Sequence, residues 1–286
     1  MQRTQSFKAV AAGDRPRILG SVVEGVREVW SRRRLARYLV QADMAKKGSD
    51  SILGNIWWVL DPLLQMLVYF VLVSVIFQRK IEAYPLFIFA AILPWKWFSS
   101  SVGDAITSVS SRERIIKQVK FPTLVLPVAS VVSGIVTFAF GLIPLFGMML
   151  LLYPAHFSLW VLTIPIIAAS QFVFTLAVAI VLAGVNVFYR DIGNVVGHLL
   201  RLWFYLSPGL YGAAQVASLT DNHTVLRVFF LANPFTTYFE SYRAVIYDGQ
   251  APMWIGLAAW TLISCVLTGL AIIIFKRLEP SFAKVL

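Results

Sequence analysis

Residues Leu124–Tyr153 read LVLPVASVVSGIVTFAFGLIPLFGMMLLLY, and after a short gap residues Leu159–Phe188 read LWVLTIPIIAASQFVFTLAVAIVLAGVNVF, two blocks without one Asp, Glu, Lys or Arg. A helix crossing the roughly 30 Å hydrocarbon core of a bilayer needs roughly 20 apolar residues, at a rise of about 1.5 Å each. Both blocks exceed that length, so both are read as membrane spans. Working outward, Ile56–Phe77, Tyr84–Val102 and Trp254–Phe275 pass the same test, while a shorter block, Val195–Tyr211, runs through Ser207-Pro208-Gly209. The expected fold is an all-α polytopic membrane protein with six transmembrane helices, at about 56–77, 84–102, 124–153, 159–188, 195–211 and 254–275.

Composition agrees with this reading. Of 286 residues, 58% are hydrophobic and 14% charged, against about 45–50% and about 25% in soluble domains, and the mean hydropathy is +0.75. An ordinary cytosolic enzyme and a disordered chain are both excluded. Cys265 is the one cysteine and sits in an apolar block, so no disulfide framework, paired-Cys metal site or redox motif is expected. The first fifty residues hold no apolar run behind a basic flank, so no cleavable signal peptide is expected.

The charge balance, 25 Lys+Arg against 14 Asp+Glu for a net +11, sets the orientation. With both termini cytoplasmic, twenty of those basic residues fall in inside segments and only Arg79, Lys80, Lys96, Arg227 and Arg243 do not, as the retention of Lys and Arg on the inner side requires. Because they lie in short juxtamembrane segments, topology and anionic lipid account for them, and no nucleic-acid partner is implied.

The chain divides into a cytoplasmic tail (1–20), an amphipathic interface helix and linker (21–55), a transmembrane domain (56–275) and a cytoplasmic tail (276–286). In the second part Val22, Val23, Val26, Val29, Trp30, Leu35, Tyr38 and Leu39 recur at helical spacing beside Arg27, Arg32, Arg33, Arg34 and Arg37, the pattern of a helix lying on a membrane surface. Residues 212–252 carry Val225–Leu231 and then Asn233-Pro234-Phe235. They are too apolar for a free loop and too interrupted for a span, which predicts two short re-entrant helices dipping in from the outer side.

Catalytic chemistry is not visible. The ionisable candidates at membrane depth are Asp61, Lys96, Asp104, Arg201, Glu240 and Arg243, most of them near span ends, and no His-x-x-x-His, Gly-x-Ser-x-Gly, Asp-x-Asp or Cys/His cluster occurs. No catalytic residue and no metal site is expected. The charge-free blocks argue against a proton or ion relay. No Gly-x-x-x-x-Gly-Lys-Ser/Thr loop is present, so energy from ATP would have to arrive on a separate subunit docked on a cytoplasmic surface. The chain itself calls for no cofactor; ATP and Mg would belong to that partner.

Five motifs then carry a resemblance. Ser51-Ile52-Leu53-Gly54-Asn55-Ile56-Trp57-Trp58-Val59-Leu60-Asp61-Pro62-Leu63 resembles the Leu-Gly-x-x-Trp-x-x-Leu-x-Pro approach to the first span in permease subunits of ABC-2 type polysaccharide exporters. Arg114-Ile115-Ile116-Lys117-Gln118-Val119-Lys120-Phe121-Pro122, with Leu126-Pro127 after it, resembles their coupling loop. Val187-Phe188-Tyr189-Arg190-Asp191-Ile192 resembles their aromatic-Arg-Asp turn, and Ser207-Pro208, then Asn233-Pro234-Phe235 and Tyr242-Arg243, follow in the family's order. The match covers about residues 24–286. One departure is Met44-Ala45-Lys46-Lys47-Gly48-Ser49, where many members place an aromatic residue between basic ones.

The resemblance implies a type V exporter-like ABC-2 fold, with the interface helix, a coupling helix between spans two and three, and two re-entrant helices before the last span. It also implies a homodimer with two copies of a separate ABC ATPase in a bacterial plasma membrane. The substrate would be lipid-linked O-antigen, teichoic acid or a related cell-envelope glycan. Arg112, Glu113, Arg114, Ile115, Ile116 and Lys117, with Lys120 before Phe121-Pro122, then read as a short coupling helix that ends because Pro cannot continue it; the bland reading is a solvated basic loop. Arg190 and Asp191 either pair locally or brace that helix.

Arg32, Arg33, Arg34 and Arg37 are candidates for the phosphate of the lipid carrier. Trp57, Trp58, Trp97, Phe98, Trp203, Tyr205, Tyr238 and Tyr242 are candidates for a glycan path along the dimer interface, since flat aromatic faces let a sugar polymer slide, although an interfacial belt explains most aromatics near span ends. Trp57 and Trp58 point about 100° apart, so at most one is expected to face a pore. Pro94, Pro144, Pro165 and Pro208 are read either as gate-forming kinks or as static shape. Asp221-Asn222-His223 is read as solvated. The alternatives that stay open are an ABC-2 permease for a small molecule or lipid and an ATP-independent lipid flippase or channel; a membrane glycosyltransferase lacks its carboxylates.

Overall fold

The computed structural model describes residues 18–49, 53–78, 81–118, 121–212 and 224–286, and every regular element among them is helical. Helices α1 (Ile18–Ser31) and α2 (Arg33–Ser49) come first. Helix α3 (Trp57–Phe70) runs on through a π-helical stretch at Val71–Ile76. Helix α4 (Tyr84–Ser108) leads through a 3-10 turn, Ser110–Arg112, into the short α5 (Glu113–Gln118). The two charge-free blocks become α6 (Val125–Leu151) and α7 (Ile164–Phe188). Then follow α8 (Ile192–Leu206), α9 (Thr224–Ala232), α10 (Pro234–Ile246) and α11 (Trp254–Val285).

Five helical stretches, those containing α3, α4, α6, α7 and α11, are long and apolar enough to cross a membrane. The chain is a membrane protein of several apolar helices. The block expected as a sixth span differs: α8 has 15 residues, about 22 Å at about 1.5 Å per residue. It stops there because Ser207 takes an extended conformation ahead of Pro208, as a residue preceding proline tends to do. Two further boundaries move. Helix starts at Ile18 and not at residue 21, and a turn at Arg32 divides the expected single surface helix into α1 and α2. Two short helices do occupy the described part of 212–252, parted at Asn233-Pro234. Arg79, Lys80, Lys120 and Asp221-Asn222-His223 lie outside the described residues.

Helix α4 is the axis of the bundle. It is buried on most of its circumference from Tyr84 to Phe98 and packs on α3, α6, α7 and α10, while α7 and α11 lie side by side. The α4–α6 crossing is tight because Gly134 and Gly141, one heptad apart on α6, present no side chain: a Cβ on Gly134 would overlap Ser101 Oγ and come within 2.8 Å of Trp97 Cδ1, and one on Gly141 would overlap Leu93 Cδ1. Small residues at such crossings let apolar helices approach closely enough for dispersion contacts to hold them, where lipid leaves little hydrophobic driving force.

The prolines have different roles. Pro165 sits in the first turn of α7, where the missing N–H is no loss, and Pro208 terminates α8. Pro94 lies inside α4, with its carbonyl accepting a 2.8 Å bond from Gln171 Nε2 on α7.

Candidate translocation groove and coupling surface

Three helices turn polar stripes toward one another. On α3, Asp61 and Gln65 are four residues apart; on α4, Lys96, Ser100, Gly103 and Thr107 share a face; on α8, Asn194, Gly197 and Arg201 do the same. A cleft of about 290 Å³ is bordered by Trp57, Trp58, Asp61, Lys96, Trp97, Ser100 and Thr137. A second, of about 620 Å³, runs between α4 and α8 past Gln65, Lys96, Ser99, Ser100, Gly103, Thr107, Asn186, Arg190, Asn194 and Arg201. Lys96 and Ser100 border both, so the two clefts meet at those residues.

Lys96 is ion-paired with Asp61, and their side chains remain 32% and 55% exposed. Lys96 lies twelve residues from either end of α4, about 18 Å at about 1.5 Å per residue. Charges at that depth are costly in hydrocarbon and face water or protein instead. The striped face is therefore not a lipid-facing one.

The aromatic candidates divide. Trp57 and Trp58 border the smaller cleft, although their 100° offset leads one to expect a single one; Trp97 lies in its wall but is 2% exposed and offers almost no surface there. Tyr205 is exposed, with its hydroxyl 3.4 Å from that of Tyr69. Phe98, Tyr238 and Tyr242 are corrected: they are 0%, 0% and 1% exposed and offer no surface to a polymer in this chain. Phe98 and Tyr238 belong to a ring cluster with Trp95, Phe174, Phe235 and Phe239, in which Phe235 lies 4.7 Å from both Trp95 and Phe98. Tyr242 stacks edge-on to Phe138, which packs on Trp97. Large rings bury the most apolar surface and collect in the core for that reason. Trp203 is half-buried against the same cluster and donates from Nε1 to Asn233 Oδ1 at 3.2 Å.

The end of α8 is tied down by two residues of the Asn-Pro helix. Asn233 caps α10 by accepting from the Phe235 N–H at 3.0 Å and donates to Ser207 Oγ at 2.8 Å. Arg243, 1% exposed, donates from Nη1 to the carbonyls of Pro208 (2.6 Å) and Tyr211 (3.1 Å) and to Glu240 (3.0 Å), and from Nη2 to the carbonyl of Gly209. Its guanidinium lies 3.8 Å from the centre of the Phe87 ring. This charge closes a turn inside the fold.

At the opposite end of α4, Arg112 pairs with Asp43 of α2 at 3.1 Å, Lys117 with Glu113 at 2.7 Å, and Arg190 lies 3.7 Å from the other Glu113 oxygen. Asn186 of α7 donates to Ser110 Oγ at 3.3 Å. The α5 segment is thus braced from α2 and from the α7–α8 turn, with Arg114, Ile115 and Lys117 exposed; Ile116 is partly covered and packs toward the neighbouring apolar cluster. Asp191 is exposed and accepts from the Asn194 N–H at 3.1 Å at the start of α8. Beside α5, Glu279 of α11 accepts from the N–H and hydroxyl of Thr123 at 2.8 and 2.7 Å, and Lys276 bridges Glu279 and Glu28 of α1.

Arg32, Arg33, Arg34 and Arg37 are all exposed and none is ion-paired among the described residues; Arg33 lies over the Trp30 ring at 5.9 Å. They surround the turn between α1 and α2. The polar stripe of α4 was the feature that motif reading missed. Its signal is the spacing of Lys96, Ser100, Gly103 and Thr107, weak because each of the last three is ordinary in a membrane helix.

The sequence matches the family described as ABC-2 type transporter over residues 34–247, a stretch that runs from α2 to the end of α10 and takes in both the groove and the α5 surface. It is 34% identical over 259 residues to the O-antigen export system permease protein RfbA of Myxococcus xanthus, covering 91% of this chain and 98% of that one. It is 29% identical over 250 residues to the protein of the same name from Klebsiella pneumoniae, covering 87% and 93%. With that match across three quarters of its length and across every element of the groove, the chain belongs to the ABC-2 type transporter family.

Proposed function

We propose that this chain is the membrane-spanning permease subunit of an ATP-driven exporter that carries lipid-linked polysaccharide, of the O-antigen class, outward across a bacterial plasma membrane. The observation that carries the reading is the 34% identity to an O-antigen export permease over nearly the full length of both chains. The polar groove among apolar helices supports it, since a glycan needs hydroxyl and amide partners at membrane depth. The chain works as a homodimer with two copies of a separate ABC ATPase, which holds the ATP and Mg and does the hydrolysis; no enzymatic step falls to the permease. Both termini face the cytoplasm, and α9 and α10 dip in from the outer side.

In this account the exposed edge of α5 (Arg114, Ile115, Lys117) sits in the ATPase, and closure of that subunit is passed along the chain to the flanking α4 and α6 and, through the braces to Asp43 and Arg190, to α2 and the α7–α8 turn. The four exposed arginines at the α1–α2 turn receive the lipid-linked phosphate. The glycan follows the clefts bordered by Trp57 and Trp58. Deleting the gene in its host is expected to abolish the surface polysaccharide and to leave lipid-linked glycan accumulating on the inner face, with both effects reversed by the plasmid-borne gene. Surface polysaccharide at the parental level in the deletion strain would overturn the assignment.

A further inference from the structure

The clefts differ in charge in a way that points to a ligand. The smaller one holds both members of an ion pair, Asp61 and Lys96. The larger one is bordered by Lys96, Arg190 and Arg201 and by no Asp or Glu. Arg190 stands near Glu113 at the mouth; Arg201, nine residues into α8 from Ile192 and so about 14 Å along the axis, is exposed and has no hydrogen bond or ion pair among the described residues. An unpaired guanidinium facing the groove at membrane depth, with an ammonium whose one ion-pair partner, Asp61, borders the adjoining cleft, creates a positive field that a low-dielectric surround strengthens. The neighbouring groups, Ser99, Ser100, Thr107 and Asn194, are hydrogen-bond partners for sugar or phosphate oxygens.

We infer that Lys96 and Arg201 form an anion station halfway along the groove, which takes the phosphate ester of a lipid headgroup as it crosses. Asp61 occupies Lys96 when the station is empty, and the arriving phosphate displaces it; the carboxylate holds the ammonium in place and spares it from standing unpaired in the bilayer. No covalent bond changes. The station is separate from the arginines at the α1–α2 turn, which meet the headgroup at the surface, and it accounts for cations placed where a neutral sugar path needs none. The inference rests on the transport reading for its occupant but on the groove alone for its sign.

Two glycines make the test possible. Gly103 and Gly197 border the larger cleft, and a Cβ at either meets nothing within 4 Å. Cys265 is the only other thiol and is removed as C265A. In the full chain within its native transporter, G103C and G197C are reacted with water-soluble thiol reagents of opposite charge and matched size. The anionic reagent is expected to react about tenfold faster than the cationic one, and the ratio is expected to fall toward unity in R201Q; the K96Q/D61N pair removes one charge of each sign, so it is expected to lower protection by a bound phosphate and to leave the ratio in place. The pair is used because K96Q alone leaves Asp61 uncompensated and can lower the yield.

Farnesyl pyrophosphate is expected to slow the labelling, and farnesol of the same chain length is not. Protection by phosphatidylglycerol equal to that by the pyrophosphate would identify a bilayer phospholipid as the source of the phosphate; stronger protection by the pyrophosphate would identify the exported carrier. Equal rates for the two reagents, or protection that persists in R201Q and in K96Q/D61N, or thiols that do not react in an assembled transporter, would overturn the station. Failure of the export reading is seen separately: a deletion strain with normal surface polysaccharide removes the glycan carrier while the charge selectivity of labelling stands.

Discussion

Arg243 shows how a charge serves a fold made for lipid. Its side chain reaches carbonyls 32 to 35 residues earlier in the chain, at Pro208, Gly209 and Tyr211, and a carboxylate one turn away at Glu240. From sequence it was legible as a costly charge, yet its partners were not, because three of them are backbone oxygens that any residue carries. R243A leaves Glu240 and three carbonyls without their donor, and breaking a buried pair from one side costs about 3–5 kcal/mol. The expected result is a markedly lower thermal midpoint for the detergent-purified chain, read from tryptophan fluorescence, with R243K recovering only part because one ammonium cannot span the same fork. A midpoint equal to the parent's would show that the turn is held by something else. The ring-bearing candidates teach the complementary lesson: Phe98, Tyr238 and Tyr242 were expected on a glycan path, and the same apolar area that made them attractive carries them into the core.

Among the elements, α6 was legible to within two residues and α7 at its C-terminal end, since length and the absence of charge decide them, while the first five residues of the second block, Leu159–Thr163, form a 3-10 helix ahead of α7. Helix α8 was not. The apolar run Leu202–Leu206 continues past Ser207-Pro208 to Tyr211, which hides a helix end that only the backbone reveals. Nor does a charge-free block show which of its faces packs, so the role of Gly134 was invisible. G134A places a methyl against Ser101 and Trp97 and is expected to destabilise by about 1–3 kcal/mol. G147A on the same helix meets nothing within 4 Å and is expected to be neutral or to gain up to about 1 kcal/mol from helix propensity. Equal thermal midpoints for the two variants would refute the tight α4–α6 crossing. For α5, reversing two exposed charges as R114E/K117E is expected to reduce surface polysaccharide and recovery of the ATPase with the tagged permease together, with the thermal midpoint unchanged. Loss of neither would leave α5 a solvated loop.

At the scale of the whole molecule, the polar face formed by α3, α4 and α8 is what distinguishes this bundle from an inert membrane anchor. Asp61, Lys96 and Arg201 stand out singly as ionisable groups at membrane depth, but no single motif revealed the face they share, because it is spread with Gln65, Ser100 and Asn194 over three helices. What the chain lacks is a phosphate loop, so the account stands or falls with a second protein. The measurement that tests it most directly is purification of the tagged chain from its native host in mild detergent, followed by mass spectrometry of the proteins and glycolipids that elute with it. The account predicts a P-loop ATPase in equal amount to the permease, and a pyrophosphate-linked glycolipid retained in the preparation. A folded oligomer of this chain alone, with no ATPase in a preparation shown to be intact, would contradict it.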